Sequence, residues 1–268
     1  MINFGKHSVL GVNICAVDYE CAVQSIIKAA IQGSPYGVSA LAVHGVMTGV
    51  MDAQHRNRLN TLSMVVPDGQ PVRYALRILY RISLPDRVYG PKLTILVLEA
   101  AVKNNIPIYL YGSQPKVINQ MVNKLTSLYP GINIAGYRPS LFRAMTNYDV
   151  IEVVDEINKS GARMVLCGLG CPRQEMWASR FQSEISMPIL AVGAAFDFIA
   201  GSLEQAPPIL QRFSLEWLYR LWKEPNRLWR RYIILNPIYI YYIMCQLFTW
   251  KVRCVIRPER SLTGPLPG

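Results

Sequence analysis

The sequence contains few of the residues that build metal sites and disulfide frameworks. Six cysteines and three histidines occur in 268 residues, and no two cysteines stand in a CxxC spacing. Zinc cages require such clusters, and disulfide frameworks belong to short secreted chains. We therefore expect neither a metal ion nor a bound cofactor.

The sequence also lacks a signal-peptide pattern and has few acidic residues. The amino terminus has no basic segment followed by a long apolar run, so no signal peptide is predicted, and we expect a cytosolic chain with reduced thiols. Acidic residues are scarce, with 17 Asp and Glu against 28 Lys and Arg, which gives a net charge of +11. With 51% hydrophobic residues the chain has ample material for a buried core.

Strand-like and helix-like segments alternate along the chain. Strand patterns occupy residues 38–45, 63–69, 106–112, 133–137, 162–170 and 187–196, and helix patterns occupy 46–60, 70–82, 117–130, 148–161 and 172–185. This alternation predicts an α/β fold with a mostly parallel, Rossmann-like sheet covered by helices on both faces. In such sheets ligands bind beyond the carboxyl ends of the strands.

The composition changes near residue 204, where charge rises and Pro207-Pro208 interrupts the chain. We predict an α/β domain at 1–203 that carries the ligand site. A basic, aromatic, helical appendage follows at 204–257, and 258–268 form a loose tail. Segment 232–250 approaches the length of a membrane span but contains Asn236, Pro237 and Gln246. Its tyrosines suit a membrane interface, so lying on or dipping into the bilayer is favoured over spanning it.

The appendage combines cations with large aromatic side chains. Its arginines are Arg220, Arg227, Arg230 and Arg231, and they are accompanied by Trp217, Trp222 and Trp229. Guanidinium groups suit diphosphates and indoles suit a headgroup region. Nucleic acid is the competing partner for a basic aromatic surface. The adjoining apolar segment argues against nucleic acid and favours a membrane surface.

Asp68 stands where a predicted strand becomes a helix, in the segment VPDGQPV. A carboxylate there could act as a general base that takes a proton from an attacking hydroxyl. An ordinary Asp-Gly turn or a helix N-cap is the alternative, and from spacing alone it is the better interpretation.

The segment LCGLGCPRQE (166–175) ends a strand in Gly168 and Gly170 and then starts a helix. Glycines allow a backbone to approach a phosphate closely, and a helix N-terminus favours an anion. The spacing is neither GxGxxG nor a P-loop, so a phosphate site and a tight turn remain equal alternatives. Other strand ends with suggestive residues are His44-Gly45, Gly112 and Gly193–Asp197.

Together these segments resemble the WecG/TagA/CpsF family of bacterial glycosyltransferases. The likeness runs from about residue 8 to 232. Its strongest blocks are VPDG (66–69), RVYG (87–90), GLGCPRQE (168–175) and the nearly continuous stretch from Val192 to Tyr232. It implies inverting, metal-independent transfer from a UDP-sugar to a polyprenyl-diphosphate-linked saccharide. The products would serve exopolysaccharide, capsule or teichoic-acid type polymers.

The resemblance also implies roles for individual residues. Asp68 is expected to be the catalytic base, with Arg87, Gln174 and His44 as the other polar groups of the active site. The nucleotide-sugar pocket is expected to contain Gly112, Gly168, Gly170, Pro172, Gly193, Phe196 and Asp197. Arg220, Arg227, Arg230 and Arg231 would meet the diphosphate at the membrane.

The sequence departs from the family pattern at three places. Ala42-Val43-His44 stands where Thr-x-Asn is usual, and Pro91-Lys92 replaces a small hydroxyl residue and Asp. The segment GYRPSLF (136–142) lacks the second glycine that is usual there. The donor sugar is therefore left open by the resemblance. A non-catalytic membrane-docking component and a dinucleotide-dependent oxidoreductase are the alternative functions, although the absence of GxGxxG disfavours the latter.

The expected partners are thus a UDP-sugar, a polyprenyl-diphosphate-linked acceptor and the inner face of the cell membrane, with no nucleic acid. The apolar segment at 232–250 could also pack against a second copy of the chain, which would make a homo-oligomer.

Overall fold

The computed structural model describes residues 1–141, 143, 145–207, 210 and 215–256, and among these it leaves aside the side chains of Arg227, Arg231 and 250–256. The tail predicted at 258–268 lies outside the described residues.

A six-stranded, fully parallel sheet forms the centre of the molecule, in the order β4-β3-β8-β7-β5-β6. Its strands are β3 (Tyr36–Leu41), β4 (Met64–Pro67), β5 (Ile108–Gly112), β6 (Ile134–Arg138), β7 (Met164–Gly168) and β8 (Pro188–Ala191). The four inner strands read as apolar runs because helices cover both of their faces. The predicted α/β fold with a mostly parallel sheet is confirmed.

Helices follow the strands and cover the sheet. They are α1 (Tyr19–Gln32), α2 (Val43–Met51), α3 (Ala53–Thr61), α4 (Gln70–Tyr80), α5 (Gly90–Lys103), α6 (Pro115–Leu128), α7 (Asn147–Lys159), α8 (Arg173–Phe181) and α9 (Ala194–Ala200). Two apolar clusters, one on each side of the sheet, make up the core. The amino-terminal strands β1 (Asn3–Val9) and β2 (Val12–Val17) form a separate antiparallel hairpin.

Three helical segments and a π-helical turn follow the sheet domain. They are α10 (Glu216–Lys223), α11 (Pro225–Trp229), the π-helical turn Arg230–Leu235, and α12 (Asn236–Ile256). The apolar stretch Tyr232–Thr249 is long enough to cross a membrane, and 11% of it is buried in the protein.

One side of α12 is docked on the sheet domain. Tyr239 and Ile243 are buried in the core cluster, and the Tyr239 hydroxyl donates to the Pro71 carbonyl at 3.3 Å. Both polar atoms of the Gln246 side-chain amide form hydrogen bonds with the turn of the β1–β2 hairpin. It accepts from Leu10 N at 2.9 Å and donates to Ser8 O at 2.9 Å. The polar residue that interrupts the apolar segment therefore anchors it to protein.

Candidate active site

A cavity of about 640 Å³ opens at the carboxyl edge of the sheet. Loops after β3, β4, β5, β7 and β8 line it, together with Arg220 of α10 and Glu224 directly after that helix. Helices α2, α4, α5, α6, α8 and α9 all begin at this edge, directly after a strand or a short loop. Their amino-terminal N–H groups give the cavity a positive potential that suits an anion.

Asp68 lies on the cavity wall at the end of β4. Its Oδ1 accepts a hydrogen bond from Gly90 N at 2.6 Å. The N-cap of α4 is Gly69 and has no side-chain cap, so Asp68 does not serve as the helix cap that spacing alone had favoured. Burial raises the pKa of Asp68 from 3.8 to about 6, although Arg87 and the Gly90 N–H act in the opposite direction. Asp68 is thus a carboxylate with a raised pKa on the cavity wall, and its role as general base stays a prediction.

Arg87 lies next to this wall but is turned toward the appendage. Its guanidinium forms a hydrogen-bonded ion pair with Glu216, and its Cζ lies 4.3 Å from the ring centroid of Tyr89. The Tyr89 hydroxyl donates to the other Glu216 oxygen at 2.7 Å. Arg87 therefore acts on Asp68 electrostatically, because its positive charge lowers the pKa of that carboxyl group. Arg87 is not among the cavity-lining residues.

Gly168 and Gly170 form the cavity floor after β7. A Cβ at Gly168 would lie 2.7 Å from the Phe196 ring. Gly170 has a φ of +78°, and its N–H donates to Gln174 Oε1 at 3.1 Å. Gln174 lines the cavity, and its Nε2 donates to Glu175 Oε1 at 2.8 Å. The Oε1 of this amide thus holds the loop, while its Nε2 is fixed by Glu175 in α8.

The turn after β8 closes the opposite side. Gly193 has a φ of +28°, and a Cβ there would come within 2.6 Å of Gln174 Oε1. Asp197 lines the cavity, whereas Phe196 is completely buried below it. Phe196 therefore shapes the site from beneath by packing against Gly168.

The remaining sheet-domain candidates take different places. His44 lines the cavity in the first turn of α2, with its Nδ1 3.4 Å from Thr48 Oγ1. Gly112 ends β5, and its backbone packs against Gly168 so closely that a Cβ would lie 2.9 Å from the Gly168 carbonyl carbon. Pro172 precedes α8 after a cis peptide bond with Cys171. Neither Gly112 nor Pro172 is among the residues that line the cavity.

The four appendage arginines do not all reach the cavity. Arg220 lines it, its Cζ lies 5.9 Å from the Phe198 ring centroid, and its Nε is buried with no hydrogen-bond partner among the described residues. Arg230 is exposed, and its Cζ lies 5.3 Å from the ring centroid of Trp229. The side chains of Arg227 and Arg231 lie outside the described set.

Sequence reasoning did not single out Glu216, Tyr89 or Glu175. Glu175 is fully buried, accepts from Ser39 Oγ at 3.0 Å, and has a raised pKa because of its burial. Glu216 lies in an amphipathic helix, where a carboxylate is usually solvated, so nothing in the sequence indicates that this one is buried. The packing of α10 beside Asp68 brings Glu216 and Tyr89 together, whereas Glu175 is held by Ser39 and Gln174.

Within the part of the chain that the structure describes, no group of three or more His, Cys, Asp or Glu side chains could hold a metal ion. The groups available to meet a diphosphate are Arg220, Arg173 and the helix amino termini. The site thus combines a carboxylate with raised pKa and a cationic, N–H-rich wall.

A family model described as "Glycosyl transferase WecG/TagA/CpsF family" matches residues 7–253. The chain belongs to this family. Membership makes it a glycosyltransferase, as the sequence predicted.

Two curated relatives are similar to the chain. Both are N-acetylglucosaminyldiphosphoundecaprenol N-acetyl-β-D-mannosaminyltransferases, one from Bacillus spizizenii strain W23 and one from Bacillus subtilis strain 168. Each is 31% identical over 183 residues, which is 68% of this chain. The match covers 68% of the first relative and 69% of the second.

Proposed function

We propose that this glycosyltransferase moves a sugar from a UDP-sugar to a polyprenyl-diphosphate-linked saccharide, with inversion and without a metal ion. The observation that carries the proposal is Asp68, a carboxylate with raised pKa on the wall of a cavity edged by helix amino termini. The names of the relatives supply the acceptor class, since both act on a sugar joined through diphosphate to undecaprenol. N-acetylmannosamine is accordingly the first donor sugar to test.

In the proposed reaction the acceptor hydroxyl gives its proton to the free oxygen of Asp68, because Oδ1 already accepts from Gly90 N. The hydroxyl oxygen then forms a bond to the anomeric carbon. The bond between that carbon and the phosphate oxygen breaks, and UDP leaves with the electron pair. Attack opposite the leaving group inverts the anomeric centre.

Developing charge on UDP requires cationic or N–H partners. Arg220 and Arg173 line the cavity, and the α8 amino terminus follows the Gly168–Gly170 turn. Preorganised donors of this kind stabilise a leaving diphosphate. The scarcity of metal-ligand clusters among the described residues makes these groups the natural counter-charges.

We further propose that the enzyme acts at the inner face of the cell membrane. The acceptor class is lipid-anchored, and α12 exposes large apolar side chains, including Ile240, Tyr241 and Phe248. Together with the basic appendage this surface suits an anionic bilayer interface.

The test is a transfer assay with a panel of UDP-sugars and a short-chain polyprenyl-diphosphate N-acetylglucosamine, followed by mass spectrometry. Parallel reactions with a chelator test metal independence, and NMR of the product reports the anomer. We expect one preferred donor, an inverted linkage and unchanged rates with chelator. If none of the UDP-sugars is hydrolysed or transferred, the proposal is refuted. Retention of configuration at the anomeric carbon would refute the mechanism.

A further inference from the structure

Glu216 is the point at which the appendage meets the candidate catalytic wall. It is 7% exposed and opens α10. One carboxylate oxygen pairs with Arg87 and the other accepts from the Tyr89 hydroxyl at 2.7 Å. Both partners lie in the loop between α4 and α5, and the first residue of α5, Gly90, donates its N–H to Asp68. A single buried carboxylate thus ties the appendage to the Asp68 wall.

This contact differs from the other ion pair that α10 makes. Lys223 pairs with Glu204 at 3.0 Å, but the side chains of Lys223 and Glu204 are 42% and 73% exposed. Exposed pairs contribute little, whereas removing one partner of a buried, hydrogen-bonded pair costs several-fold more. The buried Glu216 contact therefore contributes more to the position of α10 than the exposed pair does.

Arg220 lies one helical turn after Glu216 and consequently projects from a similar face of α10. It is the appendage arginine that lines the cavity among the described side chains, and its buried Nε has no partner there. A buried cationic nitrogen without an acceptor is costly. An anion in the cavity would supply that acceptor.

We propose that Glu216 is a positioning residue that latches α10 onto Arg87 and Tyr89 and so holds Arg220 in the cavity to bind the diphosphate of the nucleotide. Arg87 contributes by forming the ion pair that holds the Glu216 carboxylate. The inference rests on the proposed function, because it assigns the anion to the donor nucleotide. It gives Glu216, which is not among the cavity-lining residues, a measurable share of nucleotide affinity.

The first experiment is calorimetric titration of UDP into the full chain and two variants. Glu216→Gln keeps the size of the side chain but removes its charge, and Glu204→Gln is the matched control at the exposed pair. We expect Glu216→Gln to weaken UDP binding at least about fivefold, which is the lower end of typical coupling between sites. Glu204→Gln should bind as the wild type does. Equal affinity of all three proteins would overturn the latch.

A double-mutant cycle separates positioning from general damage. If Glu216 acts through Arg220, Arg220→Ala should weaken UDP binding in the wild type and much less in the Glu216→Gln background. Additive losses would refute the coupling. Tyr89→Phe removes one bond and leaves the charge pair intact, so it provides a milder variant should Glu216→Gln unfold. Its UDP affinity should lie between those of wild type and Glu216→Gln, and wild-type affinity would contradict the latch.

The pH profile gives a readout that a purely structural residue would not change. The charged and titratable groups that face Asp68 are Arg87, Tyr89, Glu216, Arg220 and Tyr19. Glu216 is one of those that raise the pKa of Asp68. The acid limb of kcat/KM should therefore move to lower pH in Glu216→Gln. An unchanged acid limb would contradict the assignment.

Hydrogen exchange distinguishes failure of this inference from failure of the proposed function. If wild-type protein does not bind UDP, the proposed function fails and the latch is judged by the amides of Glu216–Lys223. These should exchange faster in Glu216→Gln than in wild type or Glu204→Gln. Identical exchange in the three proteins would overturn the latch independently of any ligand.

Discussion

Asp68 shows what a sequence can and cannot establish about one residue. Its place after an apolar strand is readable from VPDG, but the same spacing suits an Asp-Gly turn. Burial, the Gly90 hydrogen bond and the raised pKa arise only when β4 and the start of α5 come together. Tertiary surroundings decide the protonation of a carboxylate, so local sequence could not.

The first prediction at this scale concerns pH. A general base must be ionised, and the pKa of Asp68 is raised to about 6 by burial. We expect kcat/KM to fall as pH drops through about 6 and to be level above it. Initial rates across the neutral and acid range measure this. An acid limb centred near the ordinary carboxylate pKa of about 4 would contradict the assignment.

The second prediction concerns stability. The pKa of Asp68 is higher in the folded state than its ordinary 3.8, so ionised Asp68 reduces folding stability above about pH 6. Protonation relieves that loss as pH falls. Asp68→Asn should accordingly have a Tm at or above that of wild type at neutral pH, with the difference vanishing in acid. Asp155→Asn, at an exposed pair with Lys159, is the control. A lower Tm for Asp68→Asn at neutral pH would contradict the expected sign.

At the scale of elements, the periodicity of apolar residues located most of the strands and helices of the sheet domain, but not all of them. The predicted helix at 46–60 is two helices, α2 and α3, because Asp52 ends the first and accepts from Gln54 N and His55 N to cap the second. Residues 187–196 were predicted to be one strand, but β8 ends at Ala191 and α9 begins at Ala194. Helices α1 and α5 and the β1–β2 hairpin were not predicted.

Contact between elements also explains which glycines matter. A Cβ at Gly168 would lie 2.7–2.8 Å from three Phe196 ring atoms, and that ring is fully buried. Gly168→Ala should therefore lower stability by about 1–3 kcal/mol through overpacking between β7 and α9. Gly131→Ala is the control, since its Cβ would meet Val102 at an ordinary 3.5 Å. Thermal denaturation compares them, and an unchanged Tm for Gly168→Ala would refute the packing argument.

Helix α12 is apolar on both its docked and its exposed sides. Substituting the exposed Ile240, Tyr241 and Phe248 by Ser should reduce sedimentation with anionic vesicles while leaving the Tm near that of wild type. Tyr148→Ser with Ile151→Ser is the control, because these exposed apolar side chains lie on α7. Equal vesicle binding by the α12 variant and wild type would show that the membrane surface lies elsewhere.

At the scale of the whole molecule, the parallel sheet explains why distant segments share one site. Residues near positions 44, 68, 112, 168 and 193 were predicted to converge, because parallel strands present their carboxyl ends to one edge. All five segments contribute cavity-lining residues; Gly112 itself packs behind the cavity, and Ser113 and Gln114 after it line the cavity. The position of the appendage could not be predicted, since it depends on a buried contact between residues 129 positions apart.

The division at residues 203 and 204 stays a prediction, as does homo-oligomerisation. Arg220 and Glu224 complete the cavity from beyond that boundary. The candidate active site therefore includes α10 as well as the sheet domain.

We propose that this chain transfers sugar from a UDP-sugar to a polyprenyl-diphosphate-linked acceptor with Asp68 as base. The most direct measurement compares wild type and folded Asp68→Asn for product formed from UDP-N-acetylmannosamine and a short-chain polyprenyl-diphosphate N-acetylglucosamine. The account predicts a disaccharide lipid with one UDP released per transfer, and at least about a hundredfold less product from Asp68→Asn. Near-wild-type transfer by Asp68→Asn, or no transfer by wild type from this or any other UDP-sugar, would contradict it.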